Sequence, residues 1–291
     1  MGATRPGGEK MREMRLQTRL GVLFAAIGLA TVSLAGVSTA ALDDEETVAF
    51  DAPTETIPAP AADPAPAADP APAPDPAPAP AATPAFPPTG PVLGSGSSGP
   101  EVQLLQQRLI DLHYDPGTPD GGFGQATQYA VWAFQKVNGI PTTGRIGSAE
   151  RAALNNPFVP GPQRPDLGPN RVVVNLPYQL LYLYTGGNLL LISHISSGNG
   201  QHYCVAQYNE CRDAITPVGD FAFGYYHAGW DHGPLGDLWN PMYFTAAGHA
   251  VHGSPSVPLY PASHGCVRIP MHTADRFPTI VGIGWPVAVV G

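Results

Sequence analysis

A long stretch of proline, alanine and aspartate sets the strongest limit on how this chain can fold. From Asp51 to about Thr89 the sequence contains little else, as in PAPAADPAPAADPAPAPDPAPAP. Proline interrupts helices and removes backbone donors, and the stretch has too few bulky apolar residues to form a core. It therefore predicts a disordered linker, which we assign to residues 42–93. A semi-rigid polyproline spacer, on the order of 100 Å long, and a plain flexible linker both fit this composition.

The first 41 residues have the pattern of an export signal. Lysine and arginine side chains precede the apolar run from Leu20 to Gly36, and small residues follow in VSTAA. This order is typical of a secretory signal peptide, here cleaved near Ala40 or Ala41. The run is longer than a typical signal core and slightly shorter than a membrane-spanning helix, so an uncleaved membrane anchor is the alternative. In both cases we expect an extracytoplasmic protein, in the cell wall or the periplasmic space.

The net charge excludes one class of partner, and the cysteine content predicts one disulfide and one odd cysteine. The formal net charge is −9 at pH 7, so we exclude nucleic acid as a partner. An exported protein meets oxidising conditions, and Cys204 and Cys211 are close enough in YCVAQYNEC to form a small disulfide loop. Such a loop would add about 2–3 kcal/mol of stability. Cys266 is then an odd cysteine, which in an exported chain needs an explanation.

Residues 94–158 have the apolar spacing of short helices. Apolar side chains recur every three or four residues in EVQLLQQRLIDLHY and in QATQYAVWAFQKVNG, and Ser148 and Glu150 begin a third segment that ends near Leu154. The pattern predicts a small all-α domain of three helices. Its segments GGFGQATQYAVWAFQKVNGI and TTGRIG resemble the three-helix peptidoglycan-binding module, which implies a wall-binding role. A spacer bundle without a ligand is the alternative.

From Arg171 onwards the pattern is that of β-strands. RVVVNLPYQLLYLYTGGNLLLISHISSG contains short runs rich in Val, Leu, Ile and Tyr, with Gly186 and Gly187 at a hairpin turn. Further strand-like segments follow at GDFAFGYY, MYFTAAGHAVH and WPVAVVG. We therefore predict a mainly β domain over residues 171–291, joined to the helical domain by a linker over residues 159–170.

The segment HAVHGSPSVPLYPASHGCVRIPM contains the candidate catalytic residues. A cysteine nucleophile has an ordinary pKa of about 8.5, so it needs help to ionise, and it needs N–H groups aimed at the oxyanion. His252 follows a strand-like run and is the candidate base for Cys266. The backbone amides of Gly265 and Cys266, together with that of His264, could form the oxyanion hole. Arg268 would project to the same side as Cys266 in an extended chain and could bind a carboxylate.

Two simpler interpretations stay open from these residues alone. A cysteine near histidines in an exported protein is more often structural than catalytic. Several histidines could also suggest a metal, but their spacing fits no recognised zinc pattern, so we predict neither a metal nor a cofactor. These are His227, His232, His249 and His252. We interpret the aromatic segment YYHAGWDHGPLGDLWNPMYF as packing or as a lid.

The motifs at His252 and Cys266 resemble the L,D-transpeptidase catalytic domain. HG, SHGCVR, TPVGDF (Thr216 to Phe221) and NPMYF carry the resemblance, which covers about residues 171–291. It implies a β-sandwich in which Cys266 is the nucleophile and His252 the general base. The implied oxyanion loop is Ser263, His264 and Gly265, and we assign Arg268, Tyr243 and Gly253 to substrate binding. Only nine residues separate Gly253 from Ser263, fewer than in many family members, so we expect this loop to run differently.

The resemblance implies acyl transfer on peptidoglycan, with stem peptides and glycan as partners. Cys266 would attack the third residue of a tetrapeptide donor, release D-Ala and pass the acyl group to an amine as a 3→3 crosslink. Transfer to water would make the protein an L,D-carboxypeptidase. Carbapenem-type inhibitors are expected to acylate Cys266. The alternatives are a non-catalytic peptidoglycan-binding protein, a cysteine peptidase or amidase, and a zinc-dependent wall peptidase.

Overall fold

The computed structural model describes residues 85–207 and 209–291. The predicted export signal and residues 42–84 of the predicted linker lie outside these residues. The helices are α1 (Pro100–Asp111), α2 (Gln125–Val137), α3 (Ser148–Asn155) and α4 (Met271–Ile280), with a short 3-10 helix at Pro165–Leu167. The strands are β1 (Arg171–Asn175), β2 (Leu180–Thr185), β3 (Asn188–His194), β4 (His202–Val205), β5 (Glu210–Asp213), β6 (Gly219–Ala222), β7 (Tyr225–Tyr226), β8 (Trp230–Gly233), β9 (Gly236–Tyr243), β10 (Ala250–Ser254), β11 (Val267–Pro270) and β12 (Pro286–Val290). None of the described helices is both long and apolar enough to cross a membrane.

The helices α1, α2 and α3 form the small domain that the apolar spacing predicts. α1 begins with a proline, which suits the first helical turn because that turn has no intrahelical use for the missing N–H. At the start of α3, the N–H of Gly147 donates to the carboxylate of Glu150 at 2.8 Å. Buried side chains from each helix meet in one core, which includes Leu105, Leu109, Val131, Phe134, Ile146 and Leu154.

The packing of this domain begins before residue 94, inside the segment that the composition assigned to the linker. Phe86 is 2% exposed, and its backbone forms two hydrogen bonds of 2.8 Å with the side-chain amide of Asn155. The guanidinium of Arg151 lies 5.2 Å from the centroid of the Phe86 ring and donates to the carbonyls of Pro87 and Pro91. The linker therefore ends earlier than predicted, because a single aromatic ring anchors the proline-rich backbone.

Two mixed sheets and a separate two-stranded sheet of β4 and β5 form the C-terminal domain, and the fold is mainly β as predicted. The first sheet has the order β3-β2-β1-β12-β6, in which β1 and β12 are parallel. The second has the order β11-β10-β9-β7, with β8 paired to β9. Its strands β10 and β11 are also parallel. Parallel neighbours need a long connection, and here that connection carries the chain from His252 to Cys266.

The first sheet is buried on both faces. Val172 and Val174 belong to the core that also contains residues of the second sheet and of α4, whereas Val173, Tyr182 and Ile192 belong to the core of the helical domain. Strand β1 therefore has apolar residues at consecutive positions, as sheets covered on both sides require. The helical domain covers a sheet face that would otherwise be in contact with water.

A polar cluster joins α2 to the β10–β11 connection. Lys136 Nζ lies 2.8 Å from His194 Nδ1 and donates to the Gln179 carbonyl at 3.1 Å. His194 Nε2 lies 3.0 Å from the Val257 carbonyl, and the N–H of Val257 donates to Tyr129 Oη at 3.1 Å. Because a carbonyl only accepts, the His194 proton is on Nε2 and Nδ1 accepts from Lys136. Burial, aided by the charge of Lys136, lowers the pKa of His194 to about 3, so this histidine is neutral.

Candidate active site

A cleft of about 730 Å³ brings together six of the residues that the sequence selected. They are Tyr243, His252, Ser263, His264, Cys266 and Arg268. The strand register explains their proximity: His252 of β10 is paired with Arg268 of β11, and Cys266 lies two residues before Arg268, on the same face of the chain. Residues of the β8–β9 hairpin and of the β4–β5 hairpin line the rest of the cleft.

His252 is held as a neutral base. Its side chain is buried, at 5% exposure, and its Nδ1 lies 2.9 Å from the carbonyl of Gly253. A carbonyl can only accept, so the proton is on Nδ1 and the lone pair of Nε2 is free. Burial lowers the pKa of His252 to about 4, and the nearby charge of Arg268 acts in the same direction. At neutral pH this imidazole can therefore accept a proton.

Cys266 carries a neutral thiol. It is the free cysteine among the described residues, and its Sγ donates to the carbonyl of Gly248 at 3.7 Å. Burial raises the pKa of the Cys266 thiol; the Ala250 N–H and the charges of Arg268 and Arg212 act in the opposite direction but do not reverse it. Since the thiolate is the reactive form, this cysteine needs a base to remove its proton.

The loop before Cys266 differs from the expected oxyanion hole in one respect. The N–H of Gly265 donates to Ser263 Oγ at 3.0 Å, and Ser263 Oγ donates to the carbonyl of Cys266 at 2.5 Å. The prediction that the Gly265 amide faces a substrate oxygen is therefore wrong, because a side chain in its own loop already occupies it. Ser263 and Gly265 shape the loop. At Gly265 φ is 127°, and an added Cβ would lie 3.0 Å from the His249 ring and from the Ile215 carbonyl.

Thr216 orients the peptide bond that leads into Cys266. Its Oγ1 accepts from the N–H of Gly198 at 2.9 Å and donates to the carbonyl of Gly265 at 2.8 Å. The C=O and N–H of a trans peptide point in opposite directions, so the Cys266 N–H points away from Thr216. Within the described residues, neither this N–H nor that of His264 donates to a side chain or to a loop carbonyl. These two amides are the remaining candidate donors to an oxyanion. Sequence reasoning used Thr216 only as part of a motif.

Of two residues assigned to substrate binding, Tyr243 lines the cleft and Gly253 does not. Gly253 is buried beside the cleft and does not line it, which corrects its assignment to substrate binding. An added Cβ would lie 2.7 Å from the Cβ of Ala274, so close packing requires glycine, and its carbonyl orients His252. Tyr243 does line the cleft, and its Oη donates to Asp231 at 2.5 Å. Burial raises the pKa of Tyr243, so it stays a neutral phenol.

The other two cysteines are bonded to each other. Cys204 and Cys211 form a disulfide across the β4–β5 hairpin. In the described part of the chain, one group of His, Cys, Asp or Glu side chains lies within ligand distance, and it consists of His202 with those two bonded cysteines. His249 instead supports the site loop: its Nδ1 lies 2.8 Å from Thr245 Oγ1, and its ring packs beside Gly265.

Comparison with known proteins identifies the family. Residues 98–154 match the family model of a putative peptidoglycan binding domain, and residues 169–289 match that of the L,D-transpeptidase catalytic domain. The solved L,D-transpeptidase from Xylanimonas cellulosilytica DSM 15894 is 40% identical over 70% of this chain and 100% of that chain, with a TM-score of 0.64. The chain belongs to the L,D-transpeptidase family.

Two more distant L,D-transpeptidases are also similar. The one from Stackebrandtia nassauensis is 22% identical over 68% of this chain and 95% of that chain, with a TM-score of 0.39. The one from Mycobacterium tuberculosis H37Rv is 18% identical over 42% of this chain and 58% of that chain, with a TM-score of 0.34. Because these values are low, we draw no conclusion from either structure.

The short β10–β11 connection of this L,D-transpeptidase packs on the helical domain. Val257 is buried and donates its N–H to Tyr129 of α2. The Pro255 carbonyl accepts from the side-chain amide of Gln125 at 3.3 Å. These two hydrogen bonds join the connection directly to α2. That this short loop runs differently from the loops of many family members stays a prediction.

The protonation state of Cys266 in this L,D-transpeptidase predicts how it reacts with iodoacetamide. Burial raises the thiol pKa above its ordinary value, so less thiolate is present at pH 7 than for an exposed cysteine. We expect slow alkylation at pH 7 that accelerates as the pH rises towards the raised pKa of this thiol. Peptide mass mapping of the labelled protein measures this at Cys266 alone, because Cys204 and Cys211 are bonded. Fast labelling at pH 6, independent of pH, would instead indicate a preformed thiolate–imidazolium pair.

Proposed function

We propose that this protein is a cell-wall L,D-transpeptidase that forms 3→3 peptidoglycan crosslinks with Cys266 as the nucleophile. The observation that supports this most strongly is a neutral thiol and a neutral imidazole in one cleft, in a chain of the L,D-transpeptidase family. His252 has its proton on Nδ1 and a free Nε2, and Cys266 is a free thiol that lines the same cleft. A thiol with a raised pKa and an imidazole with a lowered pKa rest as a neutral pair, so the proton moves to His252 only as sulfur attacks the carbonyl.

In the first half-reaction, His252 Nε2 accepts the thiol proton as Cys266 Sγ attacks the carbonyl of the third residue of a tetrapeptide donor. The amides of His264 and Cys266 donate to the oxyanion. His252 then gives the proton to the nitrogen of D-Ala, the C–N bond breaks, and a thioester of the tripeptide remains on Cys266.

In the second half-reaction, the side-chain amine of another stem attacks the thioester. His252 accepts a proton from that amine and returns it to sulfur as the C–S bond breaks. Water must be kept from competing, and the β8–β9 hairpin is suited to this because Asp231, Leu235 and Leu238 line the cleft beside Tyr243. A loosely closed hairpin would favour water and make the protein an L,D-carboxypeptidase.

The two domains act on the same polymer. A peptidoglycan-binding domain and an L,D-transpeptidase domain imply an extracytoplasmic location. We propose that residues 1–41 direct export, as a cleaved signal or as a membrane anchor, and that the helical domain holds the catalytic cleft close to stem peptides and glycan. Tethering of this kind raises the local substrate concentration. We also propose that carbapenem-type β-lactams acylate Cys266, because their strained carbonyl is attacked in the same way.

The test is to incubate the purified protein with a disaccharide-tetrapeptide and to measure product masses. A crosslinked dimer that has lost one D-Ala supports the transpeptidase proposal. A disaccharide-tripeptide monomer supports the carboxypeptidase, and an unchanged substrate supports the non-catalytic wall-binding alternative. Protein in which Cys266 has been alkylated beforehand is the control, and any product that it still forms does not come from this thiol.

A further inference from the structure

The β4–β5 hairpin lies against the loop that contains the nucleophile. Tyr203 and Arg212 are direct cross-strand neighbours on it, and both line the cleft. The Tyr203 ring meets the His264 ring edge to face, with centroids 4.9 Å apart. Arg212 Nη1 donates to the carbonyl of Ala247 at 3.3 Å. Closed by the disulfide between Cys204 and Cys211, the hairpin presents a guanidinium to the cleft beside Cys266.

The guanidinium of Arg212 has no counter-ion in the described residues. No described carboxylate lies within salt-bridge distance of Arg212 or of Arg268, the other cation of the cleft. The Nε of Arg212 is buried and has no hydrogen-bond partner. A cation without a counter-ion is costly to hold in a partly buried site, so a ligand that supplies a negative charge is favoured beside Arg212.

The acidic side chains of the cleft are already committed to other partners. Asp231 accepts from Tyr243 Oη at 2.5 Å, and Asp237 lies 2.8 Å from His232 Nδ1. The charge of Arg212 also reaches the site, since it contributes to the lowered pKa of His249. Nη1 is used by Ala247 and Nε is buried, which leaves Nη2 as the donor that a carboxylate in the cleft can meet with a charge-assisted hydrogen bond.

We propose that Arg212 binds a carboxylate of the donor stem peptide, and that the disulfide-closed hairpin holds it in position. This inference rests on the proposed function, because it takes the stem peptide as the ligand of the cleft. The Tyr203 ring, 5.8 Å from the guanidinium carbon, limits the directions that Arg212 can take. Arg212 is thus a residue for substrate specificity, and it selects free carboxylates over carboxamides.

The experiment measures peptide binding without turnover. The full chain carrying Cys266→Ala is titrated by NMR with three tetrapeptides: the free acid, a form amidated at the terminal D-Ala, and a form amidated at the internal carboxylates. Arg212→Met is then added to this background. Arg276→Met is the matched control, because Arg276 is an exposed arginine of α4 that does not line the cleft. Arg212→Lys tests whether a positive charge without the planar guanidinium is enough.

We expect Arg212→Met to weaken binding of the free acid about 10- to 100-fold, the range of a charge-assisted hydrogen bond. Amidation of the carboxylate that Arg212 binds should weaken peptide binding to the Cys266→Ala chain by a similar factor. The same amidation should hardly change the affinity of the chain that also carries Arg212→Met. The amidated peptide that shows this behaviour identifies whether Arg212 binds the terminal or an internal carboxylate. Arg212→Lys should keep part of the preference, and Arg276→Met all of it.

Two results would overturn the inference. One is unchanged affinity of Arg212→Met for every peptide, and the other is an equal loss for all three peptides, which is what a merely structural arginine would give. Binding is measured on a chain without the thiol, so it is independent of the reaction. If the natural chain turns over no tetrapeptide while the carboxylate preference persists, the proposed function fails and the Arg212 site remains.

Discussion

Replacing Cys266 by alanine should lower formation of both dimer and tripeptide by at least about ten-thousand-fold, the scale seen when the nucleophile of a catalytic unit is removed. The variant should fold normally, because alanine is smaller and the thiol makes one weak hydrogen bond, to Gly248. The measurement is product mass against time, together with thermal unfolding. A variant that keeps a tenth of the activity would show that this thiol is not the nucleophile.

His252→Gln should also lower the formation of both products. Glutamine cannot accept the thiol proton, so we expect a loss of about a hundred- to ten-thousand-fold. The remaining rate should rise about tenfold per pH unit, because hydroxide must now form the thiolate. Adding Cys266→Ala to His252→Gln should cost nothing beyond Cys266→Ala alone, since the two residues act as a unit. His202→Gln, at an exposed histidine paired with Asp213, is the control, and a comparable loss in that variant would contradict the role of His252.

Deleting the helical domain should severely destabilise the catalytic domain. The deletion exposes the sheet face that includes Val173, Tyr182, Tyr184 and Ile192. Each large apolar side chain moved into water costs about 1.5–3 kcal/mol, and the sum is comparable to the 5–15 kcal/mol by which ordinary domains are stable. We expect residues 157–291 alone to aggregate or to lack a cooperative unfolding transition. A truncated domain that melts close to the whole protein would contradict the shared core.

A point substitution tests the same coupling in the whole chain. Phe134 is fully buried in the shared core and meets Tyr114 edge to face, with centroids 5.7 Å apart. Phe134→Ala should cost about 3–5 kcal/mol and should shift a single unfolding transition of both domains. Leu104→Ala, at an exposed position of α1, should change little. Separate transitions for the two domains would show that they fold independently.

Sequence patterns predicted the parts of the fold that depend on local spacing. The helices follow from apolar residues at three- and four-residue intervals, and the order from Cys266 to Arg268 placed both on one side of an extended strand. The partners of each element were not predictable in this way. β1 reads as an unbroken run of valines, and only the structure shows that alternate valines face different domains. Phe86 was missed because it is one ring in a proline-rich segment.

In the candidate site, residue types were predictable and hydrogen-bond directions were not. The motif indicated Cys266, His252 and the Ser263–Gly265 loop, but which amide is free depends on Ser263 turning back to its own loop. The motif indicated Gly253 as a residue that binds substrate, whereas the structure shows that it packs closely against Ala274. Arg212 carried no signal in the sequence. Arg212 lies beside the cleft because the β4–β5 hairpin contacts His264 and Ala247, which are far from it in the sequence.

The most direct test of the central claim is the mass of the protein during reaction with a donor alone. After the purified chain is mixed with a disaccharide-tetrapeptide and quenched in acid, we predict a protein heavier by the mass of the donor minus the mass of free D-Ala, which carries away the thiol hydrogen. Peptide mapping should place this adduct on the peptide that contains Cys266, as a thioester cleaved by hydroxylamine. Product formation with the adduct on another residue, or with no adduct under rapid quench while turnover continues, would contradict acyl transfer through Cys266.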